Sequence, residues 1–164
     1  MKYVRSIQLA FSAFALLLFA IPVSAGDQVP LNGTFSGEVT LVTPLSAEVL
    51  LLQVSLSGIS THLGRFKGEA EIFQNIADGS YSGTFIWTAP NGATVSGTFV
   101  GQLIPTATLG LFENIETITI TSGTGRFAGA SGVASAGGHL DQTTSSFVFP
   151  FAGSISSAGS NKAP

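Results

Sequence analysis

Apolar and polar residues alternate with a period of two over most of the chain beyond residue 26. In the segment 65–72, RFKGEAEI, every odd position is charged and every even position is apolar or small. Because successive side chains of a strand point to opposite faces, this pattern predicts a strand with one buried and one solvated face. The same alternation predicts eight strands, which lie near 33–42, 47–57, 64–73, 80–88, 93–103, 112–121, 125–136 and 144–156.

Turn residues separate most of these strands. Asp78-Gly79, Pro90-Asn91-Gly92 and Gly137-Gly138 combine residues that accept a positive φ or supply the fixed φ of proline. Asn-Gly is the strongest short hairpin signal, so we expect a tight turn at Asn91-Gly92. Almost no segment beyond residue 26 has a helical period, and the chain is therefore predicted to be all-β.

Glycine and phenylalanine recur in a fixed pattern. The triplet Gly-x-Phe occurs six times, and in four cases another glycine follows two residues later, the triplets being 33–35, 64–66, 83–85, 97–99, 110–112 and 125–127. Residues two apart share a strand face, so each ring is flanked by positions without a side chain. Such gaps receive large side chains from neighbouring strands and allow the bending that barrel closure requires. The pattern predicts a narrow closed barrel.

The first 25 residues have the features of a signal peptide. Lys2 and Arg5 precede an apolar run from about residue 9 to residue 21, and small residues end the segment at Ala25. The run is shorter than the roughly 20 residues of a spanning helix, so no membrane span is predicted and the location is secreted or periplasmic. The predicted domains are the signal peptide 1–25, a barrel 26–155 and a flexible tail 156–164.

Composition narrows the classes of function. The chain has no cysteine, which excludes disulfides and thiolate chemistry. Without Lys2 and Arg5, four basic residues face nine acidic ones, a net charge of −5, which argues against a nucleic-acid or anionic-membrane partner. Charged residues make up only 9% of the chain, so much of the outer surface must be Ser, Thr, Gly and apolar atoms. That surface suggests self-association or a face for an apolar ligand.

The segment 121–132, TSGTGRFAGASG, contains the pattern G-x-G-x-x-A after a predicted strand. A dinucleotide site requires a helix N-terminus after this loop, but the following segment carries Gly129, Gly132, Gly137 and Gly138, each of which costs a helix up to about 1 kcal/mol. We therefore interpret the segment as a strand whose small residues allow neighbouring side chains to pack closely, and no cofactor is predicted.

Other site chemistry has weak support in the sequence. His62 and the pair His139 and Asp141 would supply at most three metal ligands from separate loops, so no metal site is predicted. No Gly-x-Ser-x-Gly elbow joins a strand to a helix, so nothing specific indicates a serine hydrolase.

The best candidate site residues are polar positions within apolar strands. Asn114 and Glu116 share a strand face with Ile118, which would place an ionisable group inside the barrel and raise its pKa. The alternative, which we favour, is a bulge near Asn114 or Ile115 that turns Glu116 outward. Tyr81 and Trp87 share one face of another strand and either line a cavity or fill the core. The candidate ligand-binding residues are thus Tyr81, Trp87, Asn114 and Glu116.

Residues 118–132, ITITSGTGRFAGASG, resemble the "I-T-G-G-T/S-G-x-F-x-G-A-x-G" segment of the allene oxide cyclase and dirigent proteins. The resemblance is closest to uncharacterised secreted bacterial proteins that share this signature, and residues 61–69 and 89–92 are similar to further signatures of that group. Ser122 departs from the family pattern, since it replaces the first glycine of the usual pair. The pocket residues of the plant families lie outside these segments, so none is assigned here.

The resemblance implies an eight-stranded antiparallel barrel with an apolar cavity, which in plant relatives is assembled as a trimer. Plant cyclases isomerise an unsaturated fatty-acid epoxide, and dirigent proteins steer phenoxy-radical coupling without performing the oxidation. Two functions follow as expectations. One is a non-catalytic exported barrel that binds a small apolar or aromatic molecule or acts as an interaction scaffold. The other is a cyclase-like isomerase in which the cavity and groups such as Glu116 direct the reaction.

Overall fold

The computed structural model describes residues 27–156, which form eight strands and one turn of 3-10 helix at Gly125–Phe127. The strands are β1 (Gln28–Pro44), β2 (Val49–Ser60), β3 (Gly64–Asn75), β4 (Ser80–Thr88), β5 (Thr94–Pro105), β6 (Leu111–Gly123), β7 (Gly132–Asp141) and β8 (Ser146–Ser156). The predicted signal peptide 1–25 lies outside the described residues, as does the predicted tail apart from Ser156, which is the last residue of β8.

Each strand pairs antiparallel with the next one in the chain, and β8 pairs with β1, so the sheet closes on itself. The prediction of a closed eight-stranded antiparallel barrel is therefore confirmed. Short turns suffice for this meander because consecutive strands are neighbours. Gly79 and Gly92 occupy two of these turns with φ of +77° and +80°, as the turn signals predicted. No helix within residues 27–156 is long and apolar enough to cross a membrane.

Aromatic side chains fill the middle of the barrel. The ring of Phe35 lies 5.7 to 6.1 Å, centroid to centroid, from the rings of Trp87, Phe147, Phe149 and Phe151. All five side chains are less than 9% exposed. Burial of rings this large removes much apolar surface from water, which stabilises a chain that has no disulfides.

Glycines on the inner face make room for these rings. A glycine and an aromatic residue lie directly opposite each other on neighbouring strands in the pairs Gly33 and Phe151, Gly37 and Phe147, Gly58 and Phe66, Gly68 and Trp87, Gly83 and Phe99, and Gly101 and Tyr81. A β-carbon at Gly33 would lie 2.6 Å from Cζ of Phe151, and one at Gly83 would lie 2.5 Å from Cζ of Phe99. Each ring thus occupies the space of a missing side chain, as the Gly-x-Phe pattern predicted.

Two local predictions are wrong. The strand predicted over 125–136 begins only at Gly132, because Gly125–Phe127 forms a turn of 3-10 helix that places the Phe127 ring over one end of the barrel. The turn predicted at Gly137-Gly138 lies inside β7 instead, where β7 remains paired with β6 on both sides of it. Two adjacent glycines here interrupt the pairing of β7 with β8 without ending the strand.

The two ends of the barrel differ. At the end where the chain enters β1 and leaves β8, the buried side chains of Leu63 and Phe127 cover the interior. Arg126 packs over the Phe127 ring, with 4.8 Å between Cζ and the ring centroid, and its Nη2 donates to the carbonyl oxygen of His62. These contacts tie the β2–β3 turn to the 3-10 helix and close this end. The opposite end, formed by the turns after β1, β3, β5 and β7, opens into a cavity.

Candidate functional site

The cavity has a volume of about 320 Å³ and runs from the aromatic cluster to the open end of the barrel. Its deeper walls are aromatic and aliphatic, and residues near the ends of the strands form its mouth, among them Val42, Leu50, Gln74 and Gln142. The turns around the mouth expose the large aliphatic side chains of Leu45, Ile76 and Leu109. Apolar side chains thus line most of the interior and are exposed around the mouth, where Gln74 and Gln142 add two polar groups.

A cluster of three polar side chains lies in the cavity wall. The hydroxyl of Tyr81 on β4 lies 2.6 Å from Oδ1 of Asn114 and 2.8 Å from Oε2 of Glu116, both on β6. Tyr81, Asn114 and Glu116 are 9%, 2% and 8% exposed. Three of the four sequence-predicted site residues are thus brought together. We call them the polar triad.

The register explains how residues on non-adjacent strands meet. Tyr81 pairs with Gly101 on β5, and Gly101 pairs with Glu116 on β6, so the three lie on one rung of the sheet. Two strand spacings separate β4 from β6 by about 10 Å, and only an intervening residue without a side chain lets the Tyr81 ring lie across β5. A β-carbon at Gly101 would overlap that ring. Gly101 therefore positions the Tyr81 hydroxyl on the β6 side chains.

The favoured interpretation of Glu116, an outward orientation caused by a bulge near Asn114 or Ile115, is wrong. Pairing of β6 with β5 is regular through this region, and the irregularities lie between Val39 and Leu41 and between Ser96 and Gly97. Asn114 and Glu116 keep the alternation set by Ile118 and face the interior. The hydrogen bonds from Tyr81 offset part of the cost of burying them.

Burial changes the proton affinity of the triad. Removal from water raises the pKa of Glu116 to about 7, although the hydrogen bond from Tyr81 opposes this rise. Burial, the charge of Glu116 and the hydrogen bond to it raise the pKa of Tyr81 above its usual value. At neutral pH the phenol is therefore protonated, whereas the Glu116 carboxyl exists in both protonation states. A carboxyl of this kind can give or take a proton at neutral pH.

Trp87, the fourth predicted site residue, lies away from the triad. It is 2% exposed, packs between the tilted rings of Phe66 and Phe85 with centroid distances of 4.9 and 4.7 Å, and lines the cavity. Its indole Nε1 has no hydrogen-bond partner within the described residues. Trp87 thus belongs to the core and to the cavity wall at once.

Part of the site is not marked by local sequence patterns. Gln74 and Gln142 at the mouth and Leu140 on the wall were not predicted, and neither was the positioning role of Gly101. Gly101 carried a signal, because it follows the triplet 97–99, but its effect on Tyr81 depends on the pairing register. Local patterns do not specify which residues of two separate strands lie opposite each other.

The remaining motifs form no site within residues 27–156. The Gly-rich segment contains a three-residue 3-10 helix and leads directly into β7, which is not the strand-to-helix geometry of a nucleotide loop. His62 lies in the β2–β3 turn at the closed end, and His139 is exposed on β7. No group of three His, Asp or Glu side chains among these residues is arranged to hold a metal ion.

Comparison of the chain with protein-family models, with curated proteins and with solved structures gave no match. The resemblance to the allene oxide cyclase and dirigent proteins stays a prediction based on the segments quoted above, and so does the trimer that it implies.

Proposed function

We propose that this chain is an exported, non-catalytic β-barrel protein that binds a small apolar or aromatic molecule in the cavity of its barrel. The observation that carries the proposal is the open cavity of about 320 Å³ with aromatic walls and a buried polar triad on one side. Small-molecule sites in proteins are concave, about 300 to 1,000 Å³ in volume, and mostly apolar with a few polar groups that orient the ligand. The export part of the proposal rests on the predicted signal peptide 1–25.

Burial of the triad supports a binding role over a purely structural one. A barrel interior that only stabilises the fold gains nothing from a buried carboxyl, because its desolvation costs free energy. Asn114 leaves its Nδ2 without a partner within the described residues, although the side chain is 2% exposed. A bound molecule that hydrogen-bonds with this group would compensate the cost.

Trp87 offers a direct way to detect binding, because it is the one tryptophan of the chain and it lines the cavity. Titration with the uncharged fluorophore N-phenyl-1-naphthylamine should quench Trp87 emission by energy transfer and saturate at one molecule per chain. Native mass spectrometry of the purified protein should detect any small molecule that copurifies, and would also report the number of subunits.

Two matched variants test where the fluorophore binds. Ala70→Phe adds a ring to the cavity wall on β3, whereas Thr98→Phe adds the same ring to the exposed outer face of β5. We expect Ala70→Phe to weaken binding at least tenfold and Thr98→Phe to leave it unchanged. Equal binding by the two variants would place the fluorophore outside the barrel and contradict the proposal.

A second function, a cyclase-like isomerase, is favoured by one observation. Glu116 has a pKa of about 7 and lies beside the cavity with Tyr81 as a hydrogen-bond partner, as expected for a general acid or base. Incubation with an unsaturated fatty-acid epoxide, the substrate class that the family resemblance implies, should then give an isomer of unchanged mass. Glu116→Gln should abolish that conversion, while binding of the epoxide persists. Equal conversion by the variant and the wild type would exclude Glu116 as the acid or base.

A further inference from the structure

We propose that the side-chain amide of Asn114 is the polar anchor for the ligand, and that the proton on Glu116 decides whether this amide offers an N–H donor or a carbonyl acceptor. The cavity would then prefer molecules with a hydrogen-bond acceptor when Glu116 is protonated and molecules with a donor when Glu116 is ionised. This inference rests on the proposed binding function and names the chemical class of the ligand.

The polar triad contains two short oxygen–oxygen contacts, and both involve the Tyr81 hydroxyl. Tyr81 has one hydroxyl proton, but its oxygen lies 2.6 Å from Oδ1 of Asn114 and 2.8 Å from Oε2 of Glu116. One proton cannot be donated to two acceptors with full strength, and two oxygens held this close without a proton between them repel each other. A second proton must therefore come from Glu116 or from Asn114.

In the protonated state the second proton comes from Glu116. Its carboxyl donates to the Tyr81 oxygen, and Tyr81 in turn donates to Oδ1 of Asn114. The Nδ2 group of Asn114 then has no partner within the described residues, as the structure shows. Asn114 lines the cavity and its Nδ2 atom is buried without a partner, so an acceptor on a molecule inside the barrel would supply that partner once the amide turns toward it.

In the ionised state the second proton comes from Asn114. The Glu116 carboxylate accepts from Tyr81, so the Tyr81 oxygen needs a donor on its other side. A half-turn of the Asn114 amide brings Nδ2 to that oxygen and moves Oδ1 to the position that Nδ2 had. The group left without a partner is now an acceptor, which a donor on the ligand can satisfy.

Among the described residues, those paired with Glu116 on the neighbouring strands carry no charge, so its protonation is coupled mainly to the other members of the triad. Tyr81 faces the carboxyl from β4, and the residues paired with Glu116 on β5 and β7 are Gly101 and Ala136. The nearby titratable residues Glu113 on β6 and His139 on β7 are exposed. Burial holds the pKa of Glu116 at about 7, which places the switch near neutral pH.

Three bicyclic molecules of similar size test the inference on the wild-type protein. 1-Indanone has only an acceptor, indole has only a donor, and indane has neither. Affinities are measured by ligand-observed NMR at about pH 5.5 and about pH 8.5, on either side of the Glu116 pKa. From acidic to basic pH we expect 1-indanone to bind about fivefold more weakly and indole about fivefold more tightly, with indane nearly unchanged, since one net hydrogen bond is exchanged.

Two variants test the roles of Glu116 and Asn114 in this pH dependence. Glu116→Gln should remove the pH dependence of both polar probes, and Asn114→Leu should make both bind with the affinity expected from indane. If the three probes bind in the cavity with the same pH response, the inference is wrong while the binding function stands. If none of them binds, both proposals fail. Because the main comparison uses the wild type, a variant that does not fold leaves the result intact.

Discussion

The hydroxyl of Tyr81 lies 2.8 Å from a carboxylate oxygen of Glu116, although the two residues are 35 positions apart in the chain and sit on strands that are not neighbours. Gly101, between them on β5, makes the contact possible because it has no side chain to block the ring. The barrel core is built in the same way, since aromatic rings there pack against glycines on neighbouring strands. Packing and the candidate site therefore share one structural device.

The stability of the protein should depend on pH through Glu116. Its pKa is raised from 4.5 in a model peptide to about 7 in the fold, so the folded state binds the proton more tightly than the unfolded state. The free energy of unfolding should therefore fall by about 3 kcal/mol as pH rises from 4.5 to 7, and Glu116→Gln should remove this slope. Urea unfolding across this range measures it. Glu113→Gln, exposed on the same strand, is the control and should keep the slope.

Replacing Tyr81 by phenylalanine should destabilise the fold and raise the pKa of Glu116 further. The variant keeps the ring but leaves Asn114 and Glu116 without their shared hydrogen-bond partner, which costs about 1 to 3 kcal/mol. The hydrogen bond from Tyr81 lowers the pKa of Glu116 in the wild type, so its loss moves that pKa above about 7. NMR titration of the Glu116 carboxyl carbon measures the change. A lower pKa in the variant would contradict the geometry of the triad.

Gly101→Ala should disturb the site from a neighbouring strand. The added methyl group would overlap the Tyr81 ring, which must move away from Glu116 at a cost of about 1 to 3 kcal/mol in unfolding free energy. Val100→Ala changes the adjacent residue, which is 59% exposed on the outer face, and should alter stability by no more than about 0.5 kcal/mol. Thermal unfolding of the two variants compares them. Similar melting temperatures would show that the Gly101 gap is not required.

Arg126→Ala should loosen the closed end of the barrel. Arg126 is exposed, so its loss should lower the unfolding free energy by no more than about 1 kcal/mol. Its contacts to His62 and the Phe127 ring hold the 3-10 helix, and amide hydrogen exchange in that helix and in the β2–β3 turn should therefore speed up. Lys67→Ala, on the outer face of β3, should leave exchange at these sites unchanged. Faster exchange spread over the whole barrel would argue against a local role.

Several features could be read from local patterns. The alternation in 65–72 predicted the inner and outer faces of β3, and the glycines at the β3–β4 and β4–β5 turns predicted two hairpins. The Gly-x-Phe triplets predicted the filling of the interior before any pairing was known. These features depend on neighbours within a few positions, where residue chemistry and backbone geometry act directly.

Tertiary structure decided the features that depend on distant neighbours. The segments GRFKG at 64–68 and GRFAG at 125–129 share four of five residues, but the first is a strand and the second begins with a turn of 3-10 helix. The first segment pairs with β2 along its length, whereas in the second Arg126 donates to the carbonyl oxygen of His62 and the Phe127 side chain is buried. Both segments lie at the closed end, so their different partners, and not local residue preference, separate the strand from the turn.

Local residue patterns were sufficient to specify an all-β chain with an aromatic, glycine-spaced interior, because a period of two and missing side chains are local properties. The inward orientation of Glu116, its contact with Tyr81 across Gly101 and the open end of the barrel required the folded sheet. These features depend on strand register, because the position of each bulge and the closure of β8 on β1 determine which side chains meet, and a shift of one residue would turn Glu116 to the outside.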